Sequence, residues 1–159
     1  MEYRWLLFLH VGAVLVFMLA HGVQVTVTWK KRWVADPATS LALFEALPSG
    51  WPLRASMAGV VITGVLLVAV LNSWSQLWIW LSLAVLAVIW LTMWRWGAAF
   101  YDLIGQAAEG AIAATGTAEE AAARAAFDRA RLSWLVPAMT VVGMGGITLI
   151  LWLMVFRPV

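Results

Sequence analysis

Long apolar segments alternate with shorter polar ones along the 159 residues of this chain. A helix needs about 20 consecutive apolar residues to cross the ~30 Å hydrocarbon core of a bilayer. Because a backbone in lipid must satisfy its own hydrogen bonds, such segments form helices. Four segments are long enough, at about residues 5–29, 55–71, 77–96 and 132–156. The pattern predicts an all-α membrane protein, in which residues 1–159 form a single transmembrane domain, an antiparallel four-helix bundle.

The first connection, residues 30–54, predicts a further helix outside the membrane. Asp36 followed by Pro37 is typical of a helix start with proline at the first helical position. We expect an amphipathic cytoplasmic helix from Pro37 to about Leu47, with its apolar side chains along the membrane surface. Those side chains are Leu41, Phe44 and Leu47.

The other two connections differ in length. Residues 72–76 are short and polar, which predicts a tight turn between the second and third spans. Residues 97–116 are rich in alanine and glycine, and the third helix is expected to continue beyond the membrane through Tyr101.

A capping motif and a proline shape the last helix. Thr117 is followed three residues later by Glu120, the spacing of a capping box. The helix that starts here is expected to run without a break into the fourth span. Pro137 lies inside that span, and because proline has no N–H, it predicts a kink or a loosened turn.

Charge predicts the orientation. Only 11% of the residues are charged and 64% are hydrophobic, against about 25% charged residues in a soluble protein. The first and third connections and their edges carry eight of the ten lysines and arginines. The positive-inside rule therefore predicts that these connections are cytoplasmic and both termini periplasmic, in a bacterial inner membrane.

The small net charge predicts no nucleic-acid partner, and the absence of cysteine excludes disulfides and iron–sulfur clusters.

Both histidines of the chain, His10 and His21, lie in the first span. Their spacing of eleven residues is three turns plus roughly 20°, so both project from one helix face, roughly 16 Å apart along the axis. Gln24 lies on the same face. Intramembrane ionisable residues are costly and are functional candidates. Because imidazole is an axial ligand of haem iron, His10 and His21 predict one or two haem b sites.

The other three spans contain no histidine, which leaves the second haem ligand open. The ligand is a methionine, it is absent in a five-coordinate haem, or a partner chain supplies it in a homodimer. Four intramembrane methionines are candidates: Met57, Met93, Met139 and Met144. Copper on the histidines is one alternative, and structural or proton-handling histidines are another. Arg54 and Arg95, at the cytoplasmic membrane edge, are candidates to pair with haem propionates or lipid phosphates.

The stretch Trp5-Leu-Leu-Phe-Leu-His10-Val-Gly-Ala13, with a basic end to the first helix and three further spans, resembles a small bacterial four-helix membrane family of unknown function. The layout is also similar to HemJ-type protoporphyrinogen oxidases and CopD-type copper-resistance membrane domains. The HemJ resemblance implies that His10 is a haem ligand. The HemJ type has a lysine in its third helix, whereas residues 77–96 contain none, so the resemblance implies haem binding rather than oxidase activity.

Together these observations predict a haem-b-binding membrane protein. It would transfer electrons or belong to a larger membrane redox complex, as an accessory protein rather than a stand-alone enzyme. Its expected partners are the lipid bilayer and either a second copy or other membrane subunits. Two alternatives stay open: a cofactor-free structural or interaction subunit, and a copper-handling protein.

Overall fold

The computed structural model describes residues 2–45 and 50–158, and this part of the chain contains helices and no strand. The all-α prediction is therefore confirmed. The helices are α1 (Glu2–Trp33), α2 (Pro37–Glu45), α3 (Trp51–Val70), α4 (Leu77–Thr92), α5 (Ala98–Ala113), α6 (Glu120–Arg131), α7 (Leu135–Thr140) and α8 (Gly146–Phe156). A π-helical turn, Met93–Gly97, joins α4 to α5, and a second, Val141–Gly145, joins α7 to α8.

Four segments are long and apolar enough to cross a membrane, as the sequence predicts. They are Tyr3–Trp33, Trp51–Val70, Leu77–Ala113 and Glu120–Phe156. The third segment has 37 residues. At 1.5 Å per residue it is roughly 55 Å long, well beyond the ~30 Å of hydrocarbon. The chain therefore extends out of the membrane on the side where α1 ends.

The membrane-spanning helices form two antiparallel pairs, α1 with α3 and α4 with α8. Small residues allow close approach within each pair. A Cβ built at Gly59 would lie 3.3 Å from the Ala13 Cβ, and one built at Gly146 would lie 2.7 Å from the Ile89 Cδ1. These glycines therefore set the helix separation in both pairs.

Outside the membrane, α2, α5 and α6 form what we call the head. Apolar faces of α5 and α6 meet in a cluster of almost fully buried side chains. In α2, Leu41 and Phe44 pack against this cluster instead of lying along the membrane surface as expected. The apolar face of α5 explains the difference, because α2 packs on α5. Leu47, the third expected surface residue, lies outside the described residues.

The two predicted helix starts have different outcomes. Asp36 caps α2 as expected: its carboxylate accepts from the Thr39 N–H at 2.9 Å, and Pro37 is the first helical residue. In the predicted capping box of Thr117 and Glu120, each side chain instead accepts from the backbone N–H one residue earlier than expected. Thr117 accepts from the Glu119 N–H, and the Glu120 carboxylate accepts from the Gly116 N–H.

The prediction of an unbroken last helix is wrong, because residues 132–134 form a non-helical joint between α6 and α7. Pro137 lies in the first turn of α7 and has no N–H for the Ser133 carbonyl, four residues earlier. That carbonyl instead accepts from the Arg32 guanidinium at 2.6 Å. In return, Arg131 donates to the Arg32 carbonyl at the end of α1, also at 2.6 Å. Two arginines thus satisfy carbonyls that the helix ends leave free.

Candidate functional site

The imidazole of His10 is buried between α1 and α3. Its Nδ1 lies 2.9 Å from the hydroxyl oxygen of Thr63. That hydroxyl has one proton, which it donates to the Gly59 carbonyl at 2.6 Å. With its proton donated in this way, the hydroxyl oxygen accepts from His10, and this pairing corresponds to the tautomer with the proton on Nδ1. The lone pair is left on Nε2, the tautomer that a metal-bound histidine adopts when its other nitrogen donates to a neighbour.

A glycine of α3 makes room for this imidazole. A Cβ built at Gly64 would lie 3.2 Å from the His10 Cε1. A larger residue at this position would require the ring to shift by a few tenths of an ångström. Gly64 is thus part of the histidine's surroundings, in addition to the helix packing expected of small residues.

The imidazole of His21 has different neighbours, which lie in the two π-helical turns and in α1 itself. The ring stacks on Phe17 of its own helix, with centroids 5.7 Å apart and an interplanar angle of 6°. A Cβ built at Gly143 would lie 3.1 Å from the His21 Nε2 and 3.2 Å from the Met93 Cε. The imidazole and the methyl end of the Met93 side chain therefore lie against the same glycine. We call His21, Met93 and Gly143 the histidine–methionine site.

The Nε2 atom of His21 is buried, and among the described residues it has no hydrogen-bond partner. A buried polar atom in this state is uncommon and calls for an explanation, such as a bound ion. Each of the two π-helical turns contributes one residue to the site, Met93 and Gly143. Single π-helical turns occur frequently at functional sites. The placement of both turns beside one imidazole makes this the strongest candidate site in the bundle.

The two histidines form separate sites. Both are 8% exposed, but His10 lies against α3 and His21 against the turn that joins α7 to α8. With roughly 16 Å between them along the axis, they cannot share one metal ion. The two histidines lie on one face of α1, as the spacing predicts, but their imidazoles have different neighbours and do not form one continuous polar surface.

The structure does not bring the other predicted site residues to these imidazoles. Arg54 donates to the Gly50 carbonyl in its own helix at 3.1 Å. Arg54 precedes Thr63 by nine residues, or roughly 14 Å along α3, so it is far from His10. Arg95 lies two residues after Met93 with an exposed side chain. The Gln24 carbonyl accepts from the Thr28 hydroxyl.

Of the four candidate methionines, Met93 is the one whose methyl group lies against the same glycine as a histidine. Met57 lines a lipid-facing groove of about 270 Å³ together with Leu83, Leu86, Ala87 and Trp90. Met139 lies in α7 and belongs to the buried cluster, which extends from the head into the last span; Met93 packs against the same cluster. Met144 is exposed. No group of three His, Asp or Glu side chains within residues 2–45 and 50–158 is placed to hold a metal ion.

Two buried polar residues were missed by the reasoning from sequence. Lys31 and Ser40 are almost completely inaccessible to solvent. Lys31 lies in a run of three basic residues, and its neighbour Lys30 is exposed. Only the packing of α2 over the end of α1 distinguishes the two lysines, so no local signal was available.

Comparison with protein-family models, with curated proteins and with solved structures finds no match for this chain.

Proposed function

We propose that this chain is a metal-binding subunit of a membrane redox assembly, with its metal at the histidine–methionine site. The observation that carries the proposal is the buried Nε2 of His21, which has no hydrogen-bond partner within the described part of the chain and lies against Gly143, where the methyl end of the Met93 side chain also lies. A thioether is a soft donor that favours copper(I), and imidazole also suits copper, so copper is the ion that both donors accept. A bound copper ion would supply one-electron transfer.

The space at His21 supports a bare ion rather than a haem. Nε2 and the Met93 methyl both lie against Gly143, at distances that are close to contact for a single added carbon. A planar macrocycle would need the helices to separate at this point.

The test is copper(I) binding to the purified protein, measured by competition with a chromophoric chelator. We expect one copper(I) per chain, with affinity reduced roughly tenfold or more in His21→Ala and Met93→Leu. Met144→Leu is the matched control, because that methionine is exposed, and it should bind as the native chain does. Equal binding by His21→Ala and the native chain would contradict the assignment.

Haem b on His10 is the second candidate, and the Thr63 hydrogen bond favours it. With Nδ1 donating to Thr63, His10 offers Nε2 to iron as an axial ligand. No third histidine exists, so a bis-histidine haem at this position requires a partner chain, such as a second copy. We expect a Soret band that disappears in His10→Ala and weakens in Thr63→Val, but persists in His21→Ala. A purified protein without a Soret band would exclude this candidate.

The proposed orientation places the head in the cytoplasm and both termini in the periplasm of a bacterial inner membrane. Eight of the ten lysines and arginines lie in the first and third connections and their edges, on the side of the head, and the positive-inside rule places that side in the cytoplasm. The exposed tryptophans on the head side, among them Trp33, Trp94 and Trp134, are consistent with an interface at this level. The test fuses, after Val159, a reporter that functions only in the cytoplasm. Activity of this fusion would contradict the proposed orientation.

A further inference from the structure

Lys31 is a buried cation at the junction between the membrane and the head. Its side chain is 1% exposed, and within the described residues Nζ has no hydrogen-bond partner. The Phe44 ring of α2 covers the ammonium, and the Tyr101 ring lies on another side, with its centroid 5.9 Å away. These cation–π contacts offset part of the desolvation cost, but they leave three N–H donors without acceptors.

A second unpartnered polar atom lies on the helix that covers this lysine. Ser40 is 0% exposed, and its hydroxyl oxygen also has no partner in the described part of the chain. Ser40 precedes Phe44 by one turn, so both side chains lie on the same face of α2. That face therefore presents a free hydroxyl next to the ring that covers the Lys31 ammonium.

The depth of Lys31 indicates what the missing acceptor is. Trp33, two residues later, is largely exposed at the end of α1, where tryptophan marks the boundary between membrane and water. Phosphate groups of lipids lie at this boundary. A phosphate offers several negatively charged oxygens, which match the donors of an ammonium and a hydroxyl.

We propose that Lys31 and Ser40 form a binding site for a phosphate group at the membrane surface, with α2 as its cover. The connection 34–36 is not helical, and entry of a phosphate requires a movement of α2 about it, because Phe44 covers Nζ. The phosphate belongs to the headgroup of an anionic lipid or to soluble phosphate. This site shares no residue with the proposed metal site and does not depend on it.

The experiment compares unfolding temperatures of the full chain in nanodiscs of phosphatidylcholine, with and without phosphatidylglycerol. Lys31→Met keeps the apolar stem and removes the charge, and Lys30→Met is the matched control at an exposed neighbour. We expect phosphatidylglycerol to stabilise the native chain and Lys30→Met. The discs are prepared with a series of phosphatidylglycerol fractions. The fraction that gives half of the stabilisation should rise roughly tenfold or more in Lys31→Met, since a hydrogen bond to a charged group is lost.

Ser40→Ala should give a smaller shift in the same direction, and it keeps the test valid if Lys31→Met fails to fold. Inorganic phosphate added to phosphatidylcholine discs distinguishes the two sources. Stabilisation by phosphate alone assigns the site to a soluble anion, and stabilisation by phosphatidylglycerol alone assigns it to lipid. A native response in both Lys31→Met and Ser40→Ala, or no response of the native chain to either anion, would overturn the proposal.

Discussion

The membrane-spanning helices and the head bury their apolar side chains to very different extents. Leu19, in the middle of α1, is 72% exposed to the surroundings of the chain, whereas Phe127 of α6 is 1% exposed. The head has a continuous buried cluster, in which Phe100 and Ile104 pack with Phe127. The membrane part instead presents long rows of leucine and valine outwards, where lipid covers them.

This contrast shows that two kinds of interaction hold one chain together. In the head, burial of apolar surface away from water stabilises the fold, as in a soluble protein. Between membrane helices that driving force is absent, because lipid tails are as apolar as leucine. The helix pairs depend on close contact at glycine and on buried polar contacts, such as that between His10 and Thr63.

The largest expected effect is the difference in stability between two alanine substitutions, one in the head and one in the membrane part. Phe127→Ala should reduce the free energy of unfolding by about 3–5 kcal/mol, because it leaves a cavity in the head. Leu19→Ala should change it by about 0.5 kcal/mol or less, since lipid replaces the lost contacts. Unfolding by denaturant in mild detergent measures both. Similar losses for the two variants would show that the head does not fold by burial in this way.

A smaller effect, of opposite sign at two glycines, tests packing within the membrane. A Cβ at Gly146 would lie 2.7 Å from the Ile89 Cδ1, so Gly146→Ala should destabilise the chain by about 1–3 kcal/mol. Gly12 has no atom within 4 Å of such a Cβ. Gly12→Ala should therefore stabilise α1 by about 0.5–1 kcal/mol. The same unfolding assay measures both variants, and a loss at Gly12 would reveal a contact made there by lipid or a partner chain.

Features set by local chemistry were predictable from sequence. The four spans follow from apolar length, and the start of α2 follows from Asp36 and Pro37, because both depend on neighbouring residues alone. The tight turn after α3 was predictable for the same reason. The functional role of His10 and His21 stays a prediction, and it was made from their position in an apolar span alone.

Features that depend on distant segments were not predictable. Pro137 indicated a disturbance of the last helix, but the joint at residues 132–134 is stabilised by Arg32, about a hundred residues earlier. Four methionines were equal candidates beside the histidines, and the choice of Met93 rests on where two π-helical turns meet α1. The burial of Lys31 likewise depends on α2 folding back over α1.

The smallest expected effect concerns Asp36, at the start of the helix that joins the two regions. Hydrogen bonds from the Thr39 hydroxyl and from the Thr39 N–H hold the pKa of this carboxyl below its usual value. A carboxyl with a lowered pKa in the folded state contributes stability above its unfolded pKa, about 3.9, and loses it as the pH falls through the folded value.

Asp36→Asn keeps an oxygen acceptor for the helix start but cannot ionise in this range. The native chain should therefore unfold at a slightly higher temperature than Asp36→Asn at pH 7, and this difference should shrink below about pH 4. Other carboxyl groups titrate in both chains and cancel in the comparison. Thermal unfolding of the two proteins across pH 3–7 measures the difference. A difference that stays constant with pH would show that the charge of Asp36 does not hold α2 on the head.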